Sequence, residues 1–140
     1  MTVPGFEALD HTADYAIRAW GADISELIQA AAVGMMSLVL DAEDLEPAEL
    51  ILLEVEADIP EQLVQHCLRE ILILFEDGEV PVRIHVTAIE DPPHANLAVG
   101  IVPLDQVRDR LLGEIKAVTY HNLRIGREPG RLTLEVVFDT

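Results

Sequence analysis

The order of apolar and polar positions divides the first part of the chain into strands and a helix. Apolar and polar residues alternate in residues 6–9 and 15–20, which predicts two strands. Asp23 is followed three positions later by Glu26, a spacing typical of a capping box. Apolar residues then recur every three or four positions as far as Val39, so a helix is predicted to begin after Asp23.

A second helix is the clearest element in the pattern. Asp58 is predicted to cap it, with Pro60 in the first turn and Glu61 completing a capping box. Residues 77–78, Asp-Gly, predict its end. Its apolar positions form one stripe that we expect to pack against a sheet: Leu63, Val64, Cys67, Leu68, Ile71, Leu72 and Phe75. Glu70 lies off this stripe and is expected to remain partly accessible.

The remaining apolar segments alternate and predict strands at residues 50–57, 82–88, 97–101, 114–125 and 132–138. The last two are predicted to form an antiparallel hairpin. Strands that follow one another beside only two helices indicate the α+β class. We therefore predict one domain spanning residues 1–140, with a largely antiparallel β-sheet and two long helices packed on one face.

The charge balance limits the partners of this chain. It has 26 acidic residues against 9 Lys and Arg, a formal net charge of −17. Few cations are available to neutralise phosphates, so direct nucleic-acid binding is not expected, whereas cations and basic protein surfaces are favoured. No apolar stretch is long enough for a membrane span, and no membrane partner is expected. The single cysteine, Cys67, excludes a disulfide within the chain and predicts a cytoplasmic location.

Two segments carry oxygen ligands that a hard cation prefers. Asp10, His11 and Asp14 interrupt the apolar pattern between the first two strands. These side chains could bind a cation such as Ca²⁺, or they could bond to backbone amides at a turn. The chain ends on an apolar strand followed by Asp139 and Thr140, which bring together a carboxylate and carbonyl oxygens, or form an ordinary solvated end.

A third segment concentrates polar side chains of several kinds. Lys116, Thr119, Tyr120 and His121 lie within six residues, and Lys116 is the only lysine in a chain with eight arginines. On a strand, Lys116 and Tyr120 would share one face, with Thr119 and His121 on the other. Such a stretch could be ordinary sheet surface, but a compact ammonium group is not interchangeable with the guanidinium of arginine.

These segments together resemble the archease family. The motifs are DHTADYAIRAWG near the start, LVQHCLREILILFEDGE in the second helix, EIKAVTYHNLRI late in the chain and VVFDT at its end. They occur in the order and spacing of the family and span nearly the whole chain. Archeases are accessory proteins of the GTP-dependent RNA ligase that joins tRNA halves, and they have no known catalytic activity of their own.

The resemblance implies a set of site residues and a cofactor. Calcium, or another divalent metal, would be bound by Asp14, by Asp139 and by the carbonyl group of Thr140. We assign Lys116, His121, His11 and Glu70 to the activation of the partner.

The predicted function is activation of the RNA-splicing ligase through its guanylylation, with support of multiple turnover in tRNA splicing and RNA repair. Two alternatives remain open at this point. One is a chaperone or specificity modulator of a tRNA methyltransferase. The other is a metal-dependent hydrolase using Asp14, Asp139 and His121, although the sequence offers no evident base or nucleophile for it.

Overall fold

The computed structural model describes residues 3–9 and 15–140, which form two antiparallel sheets and two long helices. The α+β class and the antiparallel pairing are confirmed. No helix in these two stretches is long and apolar enough to cross a membrane.

The first sheet is built around the last strand of the chain. Its strands are β1 (Gly5–Leu9), β2 (Tyr15–Gly21), β6 (Ala117–Val118), β7 (Gly126–Glu128) and β8 (Arg131–Asp139). In this sheet β1 pairs with β2 and β2 pairs with β8, while β6 and β7 pair with β8 as well. One face of β8 is buried through alternate apolar residues, so this strand anchors the hydrophobic core.

The other three strands are β3 (Glu49–Glu56), β4 (Glu79–Glu90) and β5 (Pro93–Pro103). They form a separate sheet in the order β3-β5-β4. The prediction of a single sheet is therefore corrected to two. The alternation of apolar residues predicts that a strand has a buried face, but it does not predict which strand lies beside it.

The first helix, α1 (Ile24–Ser37), contacts strands of both sheets. Asp23 caps it as predicted, because the Asp23 side chain accepts a hydrogen bond of 2.9 Å from the Glu26 amide. Most of its side chains are buried, including three consecutive alanines at residues 30–32. A helix that is apolar on nearly all sides suits a position between two sheets.

The second helix, α2 (Pro60–Glu76), buries the predicted stripe except for Phe75, which is half-buried, and Leu63, Cys67 and Leu68 are fully inaccessible. Glu70 is half-buried, in agreement with the prediction. The predicted cap is wrong. The helix starts from Ile59 without any side-chain cap, and the Glu61 carboxylate instead accepts a hydrogen bond of 3.3 Å from the Ile125 amide.

Candidate functional site

The segment that contains Lys116 lies at the carboxyl end of β8. The Lys116 amide donates a hydrogen bond of 2.7 Å to the Asp139 carbonyl, and Ala117 is the register partner of Asp139. The side chains of Lys116 and Asp139 are both exposed. Two of the segments selected from the sequence, separated by some twenty residues, therefore meet at one end of the first sheet.

The predicted strand over residues 114–125 is mostly a loop, and only Ala117–Val118 pairs with β8. Val118 lies opposite Phe138, whereas Gly126 lies opposite Thr133. Residues 119–125 therefore have only residues 134–137 of β8 alongside them, and the surplus residues leave the sheet. The predicted division of Lys116, Thr119, Tyr120 and His121 between two strand faces is consequently wrong.

Three buried apolar side chains fix this loop to the core: Ile115, Val118 and Leu123. Thr119 adds two bonds to the Val137 carbonyl, one from its amide at 3.1 Å and one from its hydroxyl at 2.9 Å. These contacts hold the backbone of the loop in place. The Tyr120 and His121 side chains, in contrast, are exposed to solvent.

The second helix supports the same loop from the other side. The Gln65 side-chain amide donates to the Val118 carbonyl at 3.3 Å, and Glu61 accepts from Ile125. Partial burial and the negative charge of Glu61 raise the pKa of the Tyr120 hydroxyl. Sequence reasoning missed both supporting side chains. Glu61 was assigned to a cap, and the hydrophobic stripe of α2 gave no reason to select Gln65.

The start of β2 reaches the same end of the first sheet. Tyr15 is the register partner of Phe138, the residue before Asp139. A Cβ atom placed on Gly113 would lie 2.8 Å from the Tyr15 hydroxyl, so the Tyr15 ring also packs against the chain just before Lys116. Asp14 and His11 themselves lie outside the described residues, and their assigned roles stay predictions.

A cavity of about 460 Å³ lies beside Lys116. Its lining combines apolar residues of α2 and of the segments around it with the charged residues Glu76, Glu114 and Lys116. The apolar residues include Val39, Leu72, Phe75 and Leu111. Such a cavity is large enough for one apolar side chain of another protein.

The described part of the chain contains no group of three or more His, Cys, Asp or Glu side chains arranged to hold a metal ion. Calcium takes about 6–8 oxygen ligands, more than Asp139 and Thr140 can supply. Cys67 is not available as a ligand or nucleophile, because burial, with a smaller effect of Glu70, raises its thiol pKa to about 12. The arrangement of the described residues does not test the metal site predicted at Asp14, Asp139 and Thr140, which stays a prediction.

The family model and the relatives that match this chain all point to one protein family. A family model described as the archease protein family (MTH1598/TM1083) matches residues 6–140. The chain is 35% identical over 140 residues to protein archease of Thermococcus gammatolerans, covering 96% of this chain and 97% of that protein. It is 31% identical over 123 residues to protein archease of Danio rerio, covering 86% and 76% of the two chains.

Two solved structures share the fold. The solution structure of protein 1598 of Methanobacterium thermoautotrophicum has a TM-score of 0.79 and 28% identity, with 97% of this chain and 99% of that chain covered. The crystal structure of a Thermotoga maritima archease, described as a possible chaperone, has a TM-score of 0.65 and 26% identity, with 96% of each chain covered.

Proposed function

Because this chain belongs to the archease family, we propose that it is an accessory protein of a GTP-dependent RNA ligase that joins tRNA halves. Its task is to promote guanylylation of the ligase and to sustain multiple turnover; it is not an enzyme in its own right. The observation that carries this proposal is the hydrogen bond of 2.7 Å between the Lys116 amide and the Asp139 carbonyl. It brings the only lysine of the chain next to its terminal acidic residue.

The exposure of these residues suits a group that acts on a partner. Lys116, Asp139 and Thr140 are exposed, whereas the backbone that carries them is fixed by β8 and by the Thr119 hydrogen bonds. A lysine ammonium is a compact point charge that can approach a phosphate oxygen closely. In this proposal Lys116 helps to orient the GTP phosphates in the ligase, and His121, His11 and Glu70 contact the ligase around it.

Calcium is the proposed cofactor, with Asp14, Asp139 and Thr140 among its ligands. Carboxylate and carbonyl oxygens are the donors that this hard cation prefers. The pairing of Tyr15 with Phe138 supports a shared site, since Asp14 precedes Tyr15 and Asp139 follows Phe138 in the sequence. The bound cation would offset part of the negative charge at this end of the protein.

The partner surface is expected to be basic with an apolar contact. An RNA-handling ligase needs a positively charged surface, which complements the net charge of −17 on this chain. The cavity beside Lys116 would take an apolar side chain of the ligase and so position the contact.

The test is guanylylation of the purified ligase with GTP, measured with and without this protein. We expect Lys116→Ala and Lys116→Arg to abolish the acceleration while they retain the melting temperature of the parent. Arg83→Ala, an exposed cation on the second sheet, is the matched control and should activate normally. Full activation by Lys116→Ala would refute the role of Lys116, and a large loss of thermal stability would assign it a structural role instead.

Calcium binding is tested separately by isothermal titration of the parent, Asp14→Asn and Asp139→Asn. Each substitution keeps the side-chain shape and removes one negative charge. We expect each variant to lose at least about tenfold in affinity, a free-energy difference of about 1.4 kcal/mol. A parent protein that does not bind calcium would remove the metal from the proposal.

A chaperone role toward a tRNA methyltransferase is the second candidate, because the Thermotoga maritima relative is described as a possible chaperone. It predicts that this protein raises the soluble yield or the substrate specificity of the methyltransferase, and that the Lys116 variants do so equally well. Failure of ligase activation together with such an effect would favour this candidate.

A further inference from the structure

The two edges of the second sheet are treated differently by the rest of the protein. The edge formed by β4 is covered by α1. The Ser25 hydroxyl accepts a bond of 2.8 Å from the Ala88 amide, and the Gln29 side chain accepts one of 3.0 Å from the Val86 amide. These side chains occupy backbone groups that would otherwise be open to another strand, a common way of protecting a sheet edge.

The opposite edge, formed by β3, has such cover among residues 3–9 and 15–140 only at its end, on the Glu56 carbonyl. The Ala57 amide donates to the Pro93 carbonyl at 3.2 Å, continuing the register in which β3 pairs with β5. Because antiparallel pairing alternates every two residues, the backbone groups of Leu50, Leu52 and Glu54 point away from β5. The Glu56 carbonyl shares this outward direction, and it is bonded by His66 Nδ1 at 3.0 Å.

The open edge exposes large apolar side chains together with glutamates. Leu50 and Leu52 are 62% and 74% exposed, and they share the outer face of the sheet with Glu54 and Glu56. A shallow depression of about 640 Å³ lies beside Leu52 on the same face. Two neighbouring exposed leucines on an open strand edge indicate a surface that another protein covers.

The charge of the strand determines which partner fits. Glu49, Glu54 and Glu56 have no ion-pair partner in the described part of the chain, and β3 contains no Lys or Arg. A second copy would bring three further carboxylates and no cation to this edge, in a protein that already carries −17. An extended segment with apolar residues opposite the leucines and basic residues opposite the glutamates satisfies both requirements.

We propose that the open edge of β3, from Leu50 to Glu56, binds an extended apolar and basic segment of a partner protein as a fourth strand of the second sheet. The backbone supplies the ladder hydrogen bonds, and Leu50, Leu52, Glu54 and Glu56 select the side chains. This surface belongs to a different sheet from Lys116 and Asp139, so the proposal is independent of ligase activation.

The probe is a fluorescent peptide, Lys-Thr-Lys-Thr-Val-Thr-Val, whose Lys and Val side chains lie opposite the outward residues of β3 in antiparallel pairing. We expect it to bind the full-length protein, as measured by fluorescence anisotropy. N-methylation of its Lys and Val amides should abolish binding, because those amides face β3. N-methylation of its Thr amides should not, because they face away. Absence of binding, or equal loss with both methylated peptides, would overturn the proposal.

Protein variants identify the edge that is used. Leu52→Lys should weaken binding at least about tenfold without lowering the melting temperature, because the side chain is mostly exposed. Ile89→Lys replaces an apolar residue that is 50% exposed on β4 of the same sheet, and it should bind the peptide as the parent does. Equal weakening by both variants would contradict an assignment to β3.

A charge exchange and a test for self-association complete the design. Glu54→Lys combined with Glu56→Lys should lose the lysine peptide and gain a peptide in which both lysines are replaced by glutamate. A failure of this exchange would refute the basic specificity. Sedimentation equilibrium of the parent and of Leu52→Lys addresses the second copy. A parent dimer that Leu52→Lys converts to a monomer would show that β3 pairs with itself and would also overturn the proposal.

Discussion

Burial of Cys67 makes the stability of this protein depend on pH in the alkaline range. Burial in the core, with a smaller effect of Glu70, raises the thiol pKa from 9.0 to about 12. The thiol can ionise freely only in the unfolded chain. Above pH 9 the unfolded chain therefore binds fewer protons at this position than the folded protein does, and stability falls as pH rises. The contribution is fully present below pH 9 and is lost as pH rises toward 12.

The size of the effect follows from the difference between the two pKa values. One unit corresponds to about 1.4 kcal/mol, so the loss from this thiol is about 2 kcal/mol between pH 8 and 10.5, and about 4 kcal/mol by pH 12. With a urea slope of about 2 kcal/mol per molar, 2 kcal/mol shifts the unfolding midpoint by about 1 M. The assay is urea unfolding of the parent and of Cys67→Ala at pH 8, 9, 10 and about 10.5.

The comparison isolates Cys67 because every other titrating group is common to both proteins. We expect the stability difference between the parent and Cys67→Ala to shrink, and then to reverse if the cavity left by the substitution costs little. A difference that stays constant from pH 8 to about 10.5 would refute the reasoning, since the thiol would then ionise in the folded protein. The same result would reopen Cys67 as a reactive group.

Three further substitutions test the fold and the support of the site. Leu68→Ala should destabilise the protein by about 2–5 kcal/mol in urea unfolding, whereas Leu52→Ala should cost less than about 0.5 kcal/mol; equal costs would contradict the assigned burial. Thr119→Val should lower the free energy of unfolding by about 1 kcal/mol and reduce ligase activation. If stability and activation both stay at the level of the parent, the hydrogen bond of the Thr119 hydroxyl does not hold the loop. Gly78 has a φ of +86°, so Gly78→Ala should lower the free energy of unfolding by about 1–2 kcal/mol, and Gly78→Asn should lower it by less. Equal melting temperatures of the parent and the two variants would contradict this expectation.

Elements with local signals could be predicted from the order of residues alone. The apolar residues from Leu63 to Phe75 recur with the period of a helix, which places them all on one face of that helix. The cap at Asp23 also depends on residues only three positions apart, and it is present as predicted. Lys116 and the terminal residues could be selected as candidates from the sequence because the choice depends only on the chemistry of their side chains.

Which segment lies beside each element depends on the fold of the whole chain. Residues 114–125 have the composition of a strand, yet β7 occupies residues 131–133 of β8, too few residues of β8 remain to pair with the whole segment, and most of it forms a loop. Glu61 has the spacing of a capping residue, but its carboxylate bonds to Ile125, some sixty positions away in the sequence. Neither the division into two sheets nor the approach of Lys116 to Asp139 has a local signal. Both depend on the competition between distant segments for the same backbone partners, which becomes definite only when the whole chain is packed.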